Sequence, residues 1–143
     1  MICALFNKIN TAEFNHNLDN IFIFKNVPQL KVLKNCNLMI NHGGMQSITE
    51  CIMFGVPMLS YPLTLDQPGN TARIKFHKIG LIGNIKKDSV KTIQYKVEKL
   101  LNSYLYKINI EVMKDKIVNC SDFEKGILFI ESFINTKNIE LRA

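Results

Sequence analysis

The chain has 143 residues, 47% hydrophobic and 21% charged, with 18 Lys and Arg against 12 Asp and Glu for a net charge of +6. That length suits one domain with a real core, and the composition excludes a disordered tail, a collagen-like repeat and a cysteine-stapled miniprotein. No apolar run reaches the roughly 18–20 residues that cross a bilayer, so no membrane span is expected.

The opening Met1-Ile2-Cys3-Ala4-Leu5-Phe6 is too short for a signal peptide and lacks a basic leader. It reads instead as a first strand, Ile2–Phe6, and the expected compartment is the cytoplasm. Further short apolar runs at Ile21–Phe24, Leu38–Ile40, Pro57–Tyr61 and Leu81–Ile85 read as buried strands. Between them, Leu30–Asn35, Met45–Phe54 and Asn70–Lys78 carry helical spacing; in the second, Met45, Ile48, Cys51 and Ile52 fall on one face. Val90, Ile93, Val97, Leu100 and Leu101 predict an amphipathic helix capped by Asp88 or Ser89. Two more helices are expected, around Leu105, Ile108 and Val112 and over Phe123–Ile134. Strands alternating with helices predict right-handed crossovers, hence a Rossmann-like α/β domain whose mostly parallel sheet is flanked by helices.

Cys3, Cys36, Cys51 and Cys120 form no CxxC pair and are expected to be buried thiols. His16, His42 and His77 lie far apart without ligand spacing, so no metal site is expected. The basic excess invites a nucleic-acid reading. Its distribution opposes one: Lys86, Lys91, Lys96, Lys99, Lys107, Lys114 and Lys116 are interspersed with Glu98, Glu111 and Asp115, the pattern of a solvated helix surface.

All four prolines and six of the seven glycines lie between residues 28 and 83, which directs attention to that stretch. Asn41-His42-Gly43-Gly44-Met45-Gln46-Ser47-Ile48-Thr49-Glu50 follows the strand Leu38–Ile40 directly. Strand, Gly-Gly turn and helix start together make an anion site: glycines admit a phosphate close to the backbone, and the free N–H groups and positive helix end face it. His42 and Ser47 can donate to the same phosphate. Glu50, one turn on, suits a ribose diol, whose two hydroxyls match its two oxygens. A ligand-free strand–helix turn accounts for the His-Gly-Gly triplet equally well at this point. Asp66-Gln67-Pro68-Gly69-Asn70 is a second loop after a strand, and its adjacent Asp and Gln suit a polyhydroxylated ligand. The plainer role there is a helix cap, and Asn70 is assigned to it. Asn26-Val27-Pro28-Gln29 ends a strand and starts a helix at the proline.

These pieces, in this order and spacing, resemble the donor-binding signature of family 1 nucleotide-sugar-dependent glycosyltransferases, the UDP-glycosyltransferase and macrolide-glycosyltransferase group. The matching stretches are residues 27–29, 33–50, 54–62 and 66–70. The resemblance implies a GT-B fold, whose C-terminal Rossmann-like domain holds the sugar donor. It implies that residues 1–143 are a single, partial donor-binding domain, with the N-terminal acceptor domain absent from them. By it, Val27 would meet the base and Gln29 the nucleoside. His42, Gly43, Gly44 and Ser47 would hold the diphosphate, with Gln46 beside them, Glu50 the ribose, and Asp66 with Gln67 the sugar. The activity implied is inverting hexosyl transfer from a UDP- or TDP-sugar to an acceptor hydroxyl, with no cofactor beyond that donor substrate. The family's catalytic histidine belongs to the N-terminal domain, so no catalytic residue is assigned here. The alternatives are a binding subunit that needs an acceptor-domain partner chain, and an inactive fragment. Two departures stand out: Asn26 replaces the tryptophan that plant and animal members stack on the base, and Gln46 replaces the usual Asn. The first strand–loop–helix of the donor domain is also missing, because Ile2–Phe6 best matches the second strand.

Overall fold

The computed structural model describes residues 1–4, 19–120 and 122–140. The described residues form five strands and six helices, which alternate as expected from β2 to α4: β1 (Ile2–Ala4), β2 (Phe22–Phe24), α1 (Gln29–Leu33), β3 (Met39–Asn41), α2 (Met45–Met53), β4 (Met58–Ser60), α3 (Gln67–Phe76), β5 (Gly80–Ile82), α4 (Val90–Asn102), α5 (Tyr104–Val118) and α6 (Asp122–Glu140). The expected strand residues Leu5 and Phe6, like His16, lie outside the described residues. Ser89 is the cap of α4: its side chain accepts from the Thr92 N–H at 3.3 Å.

Every strand pair is parallel, but the ladder comes in two parts, β1-β2 and β3-β4-β5. The strands also differ in burial. Met58, Leu59 and Ser60 of β4 are fully enclosed, whereas Ile2, Phe22 and Phe24 of the β1-β2 pair are exposed. A central strand of a parallel sheet is covered on both faces by the crossover helices. Ile85, expected at the end of a strand, is exposed in the loop beyond β5.

Alternation along β4 divides the core. Met58 faces a cluster built by Leu33 of α1, Ile48, Cys51 and Ile52 of α2, Ile74 of α3 and Ile110 of α5. Leu59 points the other way, under Leu100 of α4 and Tyr106 of α5, with Leu38, Leu81 and Val97 alongside. Of the expected apolar face of α2, Met45, in the first turn, is the exception: it is exposed.

The second cluster has an open side. Ile40, Leu59 and Leu81 stand in register across β3, β4 and β5. Leu59 is 0% exposed and Ile40 is 49% exposed, because α4 packs mainly over β4 and β5. Leu59→Ala is therefore expected to cost about 2–5 kcal/mol, and Ile40→Thr, which keeps β-branching, under about 1 kcal/mol. Urea unfolding of the two variants measures the difference.

The thiols do not share one environment. Cys51 is buried, Cys3 and Cys36 are half-buried, and Cys120, in the turn after α5, is exposed, contrary to the uniform burial expected. Burial pushes the Cys51 thiol up to about 12, with the Glu50 charge and Cys36 adding and the Asn41 side chain opposing. A thiolate is the reactive form. A disulfide reagent at pH 8 should therefore modify Cys120 at once and Cys51 only after denaturant is added, as peptide mass mapping would show.

Candidate functional site

The site begins where β3 ends. The Asn41 side-chain oxygen accepts from the Gly43 N–H at 2.9 Å and from the Ser60 hydroxyl at 2.7 Å, tying the turn to the neighbouring strand. Gly43 takes φ +84°, and a Cβ there would stand 2.6 Å from the Thr71 methyl. Only glycine meets both conditions. Gly44 is the N-cap of α2, in extended conformation and without a side-chain hydrogen bond to the helix. The first intrahelical bond runs from Ile48 N–H to Gly44 C=O at 3.1 Å, so the N–H groups of Met45, Gln46 and Ser47 have no intrahelical acceptor. His42 lies over this end: its Nε2 is 2.7 Å from where a Gly44 Cβ would be.

The second loop is joined to the first by Asn70. Its Nδ2 donates to the Gly43 carbonyl at 3.1 Å and to the Asp66 carboxylate at 2.8 Å. Asn70 is buried inside α3 and is not the cap expected from its sequence context, because α3 starts three residues earlier, at Gln67. Asp66 stands at the cap position but makes no capping bond; its carboxylate takes the Asn70 amide instead. Gln67 folds its side-chain oxygen back onto the N–H groups of Leu63 (2.8 Å) and Thr64 (3.1 Å). No bond to its Nε2 appears among the described residues.

On the other flank, Gln29 of α1 donates to Glu50 Oε2 at 2.5 Å and lies 3.4 Å from the Ser47 hydroxyl. Gln46 donates to Glu50 Oε1 at 3.1 Å. The structure thus brings together Gln29, Gln46, Ser47 and Glu50 on one side of the turn, His42, Gly43 and Gly44 at it, and Asp66 with Gln67 on the other. Val27 stands apart, half-buried in the link from β2 to α1.

Sequence reasoning missed a neighbouring groove of about 350 Å³ at the carboxyl ends of β3–β5, lined by Ile40, His42, Tyr61, Leu63, Ile85 and Ile93, with Asp88 among its walls. Asp88 accepts from the Tyr61 hydroxyl at 3.0 Å and the Asn84 N–H at 3.2 Å, and pairs with Lys96. The Lys96 hydrogen bond holds the Asp88 carboxyl below the usual range, against the effect of burial. Burial, helped by Asp88, pushes the Tyr61 hydroxyl up to about 12. Asp88 had a signal, its place just before a helix, but that signal indicates a cap and not an ion pair eight residues on.

Residues 10–138 match the family model described as UDP-glucoronosyl and UDP-glucosyl transferase. An uncharacterized UDP-glucosyltransferase of Bacillus subtilis (strain 168), YdhE, is 30% identical over 140 residues, 96% of this chain and 35% of that protein. Human UDP-glucuronosyltransferase 3A2 is 35% identical over 94 residues, 64% of this chain and 18% of that one. The chain spans about a third or less of the length of these relatives. Among solved structures, the calicheamicin glycosyltransferase CalG4 superposes on 94% of this chain and 35% of its own with a TM-score of 0.84 at 16% identity, a likeness of fold. Glycosyltransferase VinC, solved with DTDP, matches 76% of this chain and 28% of its own with a TM-score of 0.72 at 22% identity. The family match over most of the chain stands with the GT-B fold of these structural neighbours: the chain belongs to the UDP-glucoronosyl and UDP-glucosyl transferase family.

Proposed function

We propose that residues 1–143 form the donor-binding part of a glycosyltransferase that moves a hexosyl group from a UDP- or TDP-sugar to an acceptor hydroxyl with inversion. The observation that carries this reading is the uncapped N-terminus of α2 at Gly43-Gly44, with the Glu50 carboxylate one turn along and Asp66-Gln67 stitched alongside by Asn70. In this reading the N–H groups of the first turn, with His42 and Ser47, take the diphosphate. The helix end is partially positive, so it favours the charge that collects on the departing nucleoside diphosphate as the glycosidic bond breaks. Glu50 takes the ribose, Asp66 and Gln67 the sugar hydroxyls, and the backbone near Val27 the base. Each of these residues binds or orients; the base that activates the acceptor belongs to the acceptor side.

The donor is a substrate, and the reading needs no cofactor or metal ligand from this chain. The cytoplasm remains the proposed compartment, in keeping with the free Cys3, Cys36, Cys51 and Cys120. Among the described residues no helix is long and apolar enough to cross a membrane.

Calorimetric titration with UDP tests the donor site. We expect saturable binding, weakened about tenfold or more in His42→Ala and in Glu50→Ala, since each loses a hydrogen bond to a charged group. The chain alone should release no UDP from UDP-glucose. A chain folded by circular dichroism that binds no UDP would overturn the reading.

An acceptor-side partner polypeptide is a second reading, supported by the sheet. No strand among the described residues pairs with the outer edge of β3, and Ile40 on that strand is half uncovered. Met39 and Asn41 spend their backbone bonds on the β4 side, so alternation leaves the Ile40 N–H and C=O facing the open edge. Adding the acceptor-side portion of the Bacillus subtilis relative should slow hydrogen exchange at the Ile40 amide at least tenfold. Unchanged exchange there would count against a partner at this edge.

A further inference from the structure

Glu50 is held by two amides at once, and they come from different helices. Gln29 Nε2 donates to Oε2 at 2.5 Å and Gln46 Nε2 donates to Oε1 at 3.1 Å. Each carboxylate oxygen thus takes one N–H and keeps acceptor capacity for another donor. The terminal torsion of a glutamate is broad and soft, so an unheld carboxylate would turn freely over the open helix face. Held at both oxygens, its plane is fixed before any ligand arrives, and the ordering cost is met in the folded chain.

The reach of residue 46 matters here. Its side chain runs one turn along α2 to residue 50, the four-residue spacing at which helix side chains meet. An asparagine amide at the same place falls one methylene short of that carboxylate. Gln46 therefore turns away from the bare N–H groups of the first turn and toward the group assigned to the ribose. The diphosphate is left to those N–H groups, His42 and Ser47.

We propose that Gln46, together with Gln29, is a positioning residue that sets the Glu50 carboxylate to accept from two vicinal hydroxyls, and so makes the chain select ribonucleoside diphosphates over 2′-deoxy ones. The proposal rests on the donor-binding reading above and narrows it, favouring a UDP-sugar over a thymidine diphosphate sugar, whose 2′-carbon bears no hydroxyl. A 2′-deoxy ligand leaves one half of the held carboxylate without its second donor. A lost hydrogen bond to a charged group weakens binding about ten- to a hundredfold.

The test is a titration of the chain with UDP and with 2′-deoxy-UDP, read as the ratio of the two dissociation constants. The unmodified chain should prefer UDP by about tenfold or more, and Glu50→Gln should bring the ratio close to one. Gln46→Met, which keeps length and helix propensity but has no donor, should lower the ratio at least threefold, as should Gln29→Met. Gln46→Lys, which restores a donor, should recover it. A merely structural loss would weaken both ligands equally and leave the ratio alone.

UDP binding with the same ratio in Gln46→Met and in the unmodified chain would overturn the inference and leave the donor site standing. Binding of neither nucleotide would overturn both. The clamp has its own readout in the ligand-free chain: Glu50→Ala should move the side-chain amide resonances of Gln29 and Gln46 together in a ¹H–¹⁵N spectrum. Unmoved resonances would overturn it without any nucleotide.

Discussion

Gly43 has no room for a side chain, and the two site loops are arranged around that fact. Thr71 stands 2.6 Å from the Cβ position, so α3 can approach the turn only because the position is bare. Once there, Asn70 donates to the Gly43 carbonyl from one side while Asn41 accepts from its N–H on the other. The N–H and C=O of Gly43 itself are thereby spent on protein partners, and the left-handed backbone is locked. The chain then enters α2 through Gly44 with no side chain to cap it, which leaves the first N–H groups for something else. An alanine at 43 would set a strained backbone against a methyl clash, so both the turn and the α3 contact depend on this one residue.

The same arrangement explains why the positive charge of the chain says little about its ligand. Among the lysines, Lys96 is spent on Asp88, while Lys107 and Lys114 flank Glu111 and hold its carboxyl low against its burial. At the turn itself the field comes from backbone N–H groups and a helix end, which appear in no charge count. A diphosphate can be held with directional bonds by such groups, and the carboxylate of Glu50 one turn away then discourages phosphate from sliding along the helix. In the proposed reading, position along α2 thus separates two chemistries, anion at the first turn and diol acceptor at the second.

Much of this was legible in local sequence. Strand, Gly-Gly and helix start were read from the stretch Leu38–Glu50, because a left-handed turn there calls for glycine. The Ser89 cap and the inward face of α2 at Ile48, Cys51 and Ile52 were legible locally as well. What was not legible is every polar contact that crosses between elements. Asn70 looks like a cap in sequence, yet it bonds to Gly43, 27 residues away. Asn41 looks like the end of a strand, but its side chain also holds Ser60 on the next one. Asp88 precedes a helix, and the geometry of Tyr61 and Lys96 makes it an ion-pair partner instead. The ladder was expected as one sheet, and the strand spacing along the chain gives no sign that β1-β2 and β3-β4-β5 pair separately.

That division of the sheet maps onto the site. His42, Gly43, Ser47, Glu50, Asp66 and Asn70 all belong to β3, β4 and the helices that follow them, which share the larger core of Met58, Ile48, Cys51 and Ile74. Gln29 and Val27 belong to the other part, since they follow β2, whose own residues are half bare. The Gln29–Glu50 bond, with the packing of Leu33 of α1 against that core, joins the two. Local stability follows buried apolar contact, so in the proposed reading the residues assigned to the diphosphate and the sugar stand on the firmer framework, and Val27, assigned to the base, on the weaker one.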